Sequence, residues 1–267
     1  MLRWTIDQPI PDVAERPGAL TAVVDQVREI YAQFDRSATD SRTMLAVPGR
    51  SLPARVLKRT VDLVAGAILC LLTSVIVGGL LVGAAISFKA RPLFTQQRVG
   101  RHGRQFRMVK IRSLPTRAPS DVDKYHLETV LTSRFGRFIR ATHLDELPQL
   151  WLVLYGRMSL VGPRPDMPCI LGRFDQDHLT TRSLLSPGCT GLWQISPAID
   201  GMIYEAPEYD LFYAEQMCVR LDLWIMWHTV LQRFGGSRQT LDDVPRWVCA
   251  HPFQVAFQRS FAEVIGS

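Results

Sequence analysis

The stretch LVAGAILCLLTSVIVGGLLVGAAISF, residues 63–88, carries no charged side chain from end to end. At 1.5 Å of rise per residue, a helix of this length reaches about 39 Å, more than the roughly 30 Å of a bilayer's hydrocarbon core. A buried helix in a soluble domain is seldom so long, so the stretch reads as membrane-embedded. Arg50, Arg55, Lys58 and Arg59 precede it, and Lys89, Arg91, Arg98, Arg101, Arg104, Arg107, Lys110 and Arg112 follow. A simple span would leave one basic flank on the outer face, against the positive-inside tendency. A segment that enters and leaves on the cytoplasmic side satisfies both flanks. Thr73, Ser74, Gly78, Gly79 and Gly83 in its middle weaken or bend a helix.

The totals agree with a membrane-attached globular domain. The chain has 267 residues, 47% of them hydrophobic, enough for one core plus an attachment. A net charge of +6 points to a polyanionic partner: nucleic acid, anionic lipid or a phosphorylated substrate. Cys70, Cys169, Cys189, Cys218 and Cys249 show no C-x-x-C spacing, so neither a zinc site nor a disulfide framework is expected. Met1–Ile10 includes Asp7 and lacks the apolar run of a secretory signal.

Outside the membrane segment the pattern is mainly helical with a small β element, an α+β class. Leu20, Val23, Val24, Val27, Ile30, Tyr31 and Phe34 recur at helical spacing, and residues 36–53 read as a linker. Gln105–Arg112 reads as a strand with Phe106, Met108, Lys110 and Arg112 on one face. Residues 115–126 read as loop, and two helical pieces follow. The expected divisions are an N-terminal arm over 1–54 and a membrane segment over 55–90. A catalytic domain over 91–236 and a C-terminal extension over 237–267 complete the chain.

HLDELPQLWLVLYGRMSLVGPRP, residues 143–165, sets Asp145 and Glu146 side by side before an apolar run. On a helix from about Leu144, the residues Leu144, Leu147, Leu150, Trp151 and Leu154 form an apolar stripe, and Pro148 is tolerated near the start. Carboxylates at a helix entrance lie near unpaired amide donors, a setting that also suits phosphate. Arg140 lies five residues before Asp145, and Arg164 is held between Pro163 and Pro165. From these residues alone the cluster is either an ion-pair network or a metal–phosphate site.

The order of motifs decides between them. KRTVD, FTQQRVGRHGRQFRMVKIRS, RFIRATHLDELPQLWLVLYGRMSLVGPRP, SPGCTGLWQIS and YDLFYAEQMCVRLDLWIMWHTV closely resemble the bacterial sugar transferases, monotopic phosphoglycosyl transferases that act on polyprenol phosphate. The resemblance runs from about Arg55 to Gly236. It implies a re-entrant membrane helix with a cytoplasmic catalytic domain at the bacterial inner membrane. The implied reaction moves a phosphosugar from a nucleoside diphosphate sugar, a UDP-sugar, to undecaprenyl phosphate and initiates a lipid-linked glycan or exopolysaccharide. Asp145 becomes the nucleophile, which carries the phosphosugar as an ester, and Asp145 and Glu146 hold Mg²⁺. Arg140, Arg164, Arg112 and Lys110 become phosphate grips, and Gly191 and Gln194 contact the nucleotide.

Anionic membrane lipids, and not nucleic acid, are then the further partner, with a homodimer left open. Three departures from the family pattern stand out. Ser74 is followed by Val75 where Ser-Pro is usual, His143 stands where Ser or Thr is commoner, and PAIDG replaces the Gly-Arg that usually follows TGLWQIS. Trp224, Met226 and Trp227 read as an apolar helix face, and Cys189 as a small buried residue. Two rival readings remain: a Mg²⁺-dependent hydrolase of lipid or nucleotide diphosphates, and a noncatalytic membrane scaffold.

Overall fold

The computed structural model describes residues 52–115 and 133–249. The helix expected over residues 20–34, nearly all of the linker and the following loop, and the chain beyond 249 lie outside the described residues. The described part is mostly helical, with two small sheets and one long apolar helix.

That helix, α1 (Leu52–Phe88), runs without interruption for 37 residues. Asp62, Gly66, Cys70, Leu80 and Ala84 are buried along one face, with Thr73 and Val77 half-buried between them. Val64, Ile68, Leu72, Val75, Val82 and Ile86 are exposed on the rest of its surface. So wide an apolar face is stable only against lipid or protein. Gly83 is needed for contact, since a Cβ there would lie 2.8 Å from the Phe135 ring. Among the described residues, a Cβ at Gly78 or Gly79 would meet nothing within 4 Å. The Thr73 and Ser74 hydroxyls donate to Leu69 O and Leu71 O of the same helix at 2.7 Å, a pattern that bends helices.

A hairpin follows. β1 (Leu93–Val99) pairs antiparallel with β2 (Gln105–Ile111) through a turn in which His102 and Gly103 take left-handed backbone. The expected strand is present and ends one residue early, at Ile111. Helix α2 (Arg134–Ala141) is capped by Ser133, which accepts from the Gly136 N–H at 3.0 Å. The chain then reverses at His143, whose φ of 56° is unusual for a non-glycine residue. A 3₁₀ turn over Leu144–Glu146 leads to α3 (Gln149–Leu154).

The single helix expected from Leu144 is thus two pieces. Pro148 has no N–H to continue the ladder, so α3 starts anew after it. The new phase moves the buried face: Val153 is fully buried, while Trp151, expected on the stripe, is half exposed. β3 (Ser159–Val161) comes next, then α4 (Gln176–Ser183) and β4 (Gly188–Thr190), which pairs parallel with β3. The helices α5 (Leu192–Ile195), α6 (Pro207–Gln216) and α7 (Val219–Arg233) complete the unit.

Phe106, Met108, Val153, Leu160, Trp193, Phe212, Leu221 and Ile225 belong to the main core. A smaller one joins Leu80 and Ala84 of α1 to Ile111 and Ile139. Residues 237–249 pack on the main core through Val244 and Val248.

Three charged residues of KRTVD fasten the start of α1 to this unit. Lys58 Nζ donates to Asp222 Oδ2 at 2.6 Å and to Val161 O at 3.2 Å. Arg59 donates to Val153 O and Leu154 O, carbonyls in the last turn of α3. Asp62 accepts from the Ser159 hydroxyl at 2.8 Å and the Leu160 N–H at 3.0 Å. One helix therefore braces both the strand that leads into Gly162–Pro165 and the helix that begins at Gln149.

Candidate functional site

Asp145 sits in the middle of the 3₁₀ turn, buried at 9% exposure, and Glu146 follows it. Burial and the adjacent Glu146 charge push the Asp145 carboxyl up to about 6, against the pull of Lys110 and Arg140. Burial would raise Glu146 too, but Lys110 and Arg164 beside it hold its carboxyl well below the usual carboxylate range. Lys110 Nζ lies 2.6 Å from Glu146 Oε1. Neighbouring carboxyls with such different environments can take different roles. Glu146 is a fixed anion with a partner, and Asp145 is an under-compensated one.

A narrow cleft beside them is lined by Lys110, Glu146, Gln149, Arg164 and Gln194, with Met108, Pro165, Gly188 and Cys189. Lys110 arrives from β2, Glu146 from the 3₁₀ turn, Arg164 from the loop after β3, and Gln194 from α5. Arg140, in the last turn of α2, acts on Asp145 through its charge. Arg112 lies one residue beyond β2; its Nε donates to Arg91 O at 2.8 Å, and it does not line the cleft. Gly191 has a packing reason to be glycine, since a Cβ there would lie 2.3 Å from Gly162 O. Burial, then the Glu146 charge, pushes the Cys189 thiol far up, so it stays protonated.

Behind the Arg164 loop lies a buried charge network with no sequence spacing to betray it. The Arg182 guanidinium donates to Asp210 Oδ2, Asp166 Oδ2 and Arg164 O, and stacks 4.7 Å from the centroid of the Phe174 ring. His178 Nε2 lies 3.0 Å from the same Asp210 oxygen. This network grips the main chain of Arg164, and the flanking prolines limit how that chain can turn. A second missed contact joins His143 Nδ1 to Arg233 at 2.8 Å and fixes the turn before Asp145 to the end of α7.

For a hard cation, the described residues contain no cluster of three or more His, Cys, Asp or Glu side chains. Asp145 and Glu146 are thus the available oxygen donors. That set fits Mg²⁺, which binds through one or two carboxylates and completes its shell with water and phosphate. The destabilised Asp145 charge is the place where a divalent ion would be most strongly favoured. The group as a whole can hold a phosphate-bearing molecule next to an oxygen nucleophile.

Comparison with known proteins shows the family. The family model described as bacterial sugar transferase matches residues 53–236. The chain is 37% identical over 204 residues to a UDP-galactose-lipid carrier transferase of Erwinia amylovora, covering 68% of this chain and 42% of the relative. It is 34% identical over 203 residues to the undecaprenyl-phosphate galactose phosphotransferase of Salmonella typhimurium, with shares of 68% and 42%. An uncharacterized sugar transferase, EpsL, of Bacillus subtilis is 35% identical over 176 residues, which make up 66% of this chain and 86% of that protein. The chain thus matches less than half the length of the first two relatives. With the motifs of the cleft and the match from residue 53 to 236 in agreement, the chain belongs to the bacterial sugar transferase family.

Proposed function

We propose that this protein transfers a phosphosugar from a UDP-sugar to undecaprenyl phosphate. The observation that carries this reading is the buried, weakly compensated Asp145 carboxylate set beside Glu146, Lys110, Arg140 and the Arg164 cleft. In the first step an Asp145 oxygen forms a bond to the sugar-proximal phosphorus, and the bond from that phosphorus to the UMP oxygen breaks. In the second, an oxygen of undecaprenyl phosphate attacks the same phosphorus and Asp145 leaves as the carboxylate. Lys110 keeps Glu146 ionised and oriented, and Arg140 and Arg164 offset the negative charge of the diphosphate. Mg²⁺ held by Asp145 and Glu146 would supply charge neutralisation between carboxylate and diphosphate.

The test is a panel of UDP-sugars assayed for UMP release with and without undecaprenyl phosphate. Release that depends on the lipid phosphate, with sugar-phosphate label trapped on the protein in a single turnover, is expected. Release with water as the sole acceptor would instead make the protein a hydrolase. Arg164→Lys is expected to lower kcat/KM roughly tenfold to a hundredfold, because a point charge replaces a planar two-pronged donor. Kinetics equal to the parent would remove Arg164 from substrate binding.

The membrane disposition we propose is re-entrant, with the catalytic unit on the cytoplasmic side of the inner membrane. Both ends of α1 contact one globular unit: Lys58, Arg59 and Asp62 at the start, Leu80, Ala84 and Phe88 at the far end. A helix crossing the roughly 30 Å hydrocarbon core would separate those contacts by the bilayer, or drag the unit into it. Leu223, Trp227 and Val230, exposed at helical spacing on α7, and Phe234 just after it add apolar surface suited to the same lipid. Single cysteines replacing Leu45 and Arg104, in an otherwise cysteine-free protein in intact cells, test the topology. Both sites are expected to resist a membrane-impermeant thiol reagent, and labelling at position 45 alone would show a span.

A further inference from the structure

Among the described residues, three polar side-chain atoms of the cleft's lining have no hydrogen-bond partner. Gln149 is 4% exposed, yet its Nε2 makes no hydrogen bond, and neither Nε2 nor Oε1 of Gln194 does. Buried amides are almost always paired, because a donor removed from water and left unbonded costs the full desolvation of the group. Both side chains border the cleft that also holds Lys110, Glu146 and Arg164. Their backbones lie in the first turns of two short helices, α3 and α5, whose positions are fixed by the main core.

We propose that Gln149 and Gln194 are phosphate-binding residues, whose side-chain amides donate to the non-bridging oxygens of the phosphoryl group that Asp145 receives. This inference deepens the function proposed above and rests on it for the identity of the phosphate. The chemistry of the lining selects the ligand. Lys110 and Arg164 supply positive charge, the two Nε2 groups supply donors, and the cleft has space for little more than one water-sized group. A phosphoryl oxygen has that size and only accepts, and it finds donors unused elsewhere. Gln194 Oε1 lies beside Gly191, where a Cβ would approach to 2.8 Å, and it is left to accept from a hydroxyl of the attached sugar.

Neutral donors suit a group that must be held through two displacements. Lys110 is already engaged by Glu146, and more fixed cations would damp the Asp145 charge that attacks. An amide holds a phosphoryl oxygen without that effect, both before UMP leaves and while the phosphosugar rests on Asp145. Gln149 is also four residues beyond Asp145, so nucleophile and donor share one short piece of chain.

The test uses the full-length protein in detergent or nanodiscs with inorganic pyrophosphate as the probe, Mg²⁺ being present throughout. Gln149→Met and Gln194→Met keep similar volume and lose the amide. Each is expected to weaken pyrophosphate binding roughly tenfold to a hundredfold, the range for a lost hydrogen bond to a charged group. Without ligand, the Gln149→Met melting temperature is expected to equal or exceed that of the parent, because an unbonded buried donor has been removed. Pyrophosphate binding equal to the parent in both variants overturns the proposal. So does a ligand-free Gln149→Met protein less stable than the parent, since the amide would then be bonded through water as part of the fold. UMP release by the parent is measured alongside. Its absence would count against the transferase reading, whereas the pyrophosphate result judges the two amides without any turnover.

Discussion

Asp145→Asn is expected to reduce UMP release by a factor of roughly a thousand or more while the protein stays folded and membrane-bound. The loss is large because the amide has no charged oxygen to form the ester, and no second carboxylate can take its place. Glu146 is the nearest, but Lys110 holds it at 2.6 Å. Stability is expected to hold or rise. Burial and the Glu146 charge disfavour the ionised form of Asp145 in the folded chain, so removing that charge relieves a penalty present at neutral pH and above. Turnover near the parent level would refute the nucleophile assignment. Loss of turnover together with a collapsed melting temperature would show that Asp145 serves the fold instead.

Arg182→Met is expected to cost about 3–5 kcal/mol of unfolding free energy. The guanidinium lies between Asp166 and Asp210, both buried, and the substitution would leave two carboxylates facing each other without their cation. Burial already pushes the Asp166 carboxyl up even with Arg182 in place. The same change releases Arg164 O, so kcat is expected to fall further than the loss of folded protein explains. Denaturant unfolding and activity per folded molecule separate the two effects. A loss under about 1 kcal/mol would mean that water reaches the carboxylates and that the network does little for the fold.

Periodicity made some of this legible before any coordinates. A chargeless run longer than a soluble helix announced α1, alternating residues announced β2, and the apolar run after the adjacent carboxylates announced a helix, though not its break at Pro148. Each of these signals is local. What failed to show depended on partners far along the chain. Lys58 and Arg59 look like a basic flank in sequence, yet their partners, like those of Asp62, lie between residues 153 and 222. Arg112 looked like a continuation of the Lys110 face, but the ladder stops at Ile111 and the side chain turns to the Arg91 carbonyl. Nothing in the sequence sets Gln149 apart from its neighbours. Only the tertiary packing shows that its amide is buried and unbonded. Gly191 was read as a ligand contact, and the close approach of Gly162 O adds a steric reason for glycine that the sequence does not show.

The bracing of α1 also sets an order of events during synthesis. Lys58 is 164 residues ahead of Asp222 in the chain. At roughly 5–20 residues per second, the ribosome takes about 10–30 s to produce that partner after Lys58 is made. Throughout that interval the apolar stretch is already complete and Lys58 lacks its carboxylate, whereas the partners of Arg59 and Asp62, within residues 153–160, are made earlier. On the re-entrant disposition proposed above, insertion precedes completion of the catalytic unit, and Asp222 in the first turn of α7 completes the lock between α1 and that unit. A nascent chain halted before residue 222 is expected to be membrane-bound but readily cleaved near Arg59 by added trypsin. Once Asp222 has emerged and folded into place, that cleavage is expected to cease.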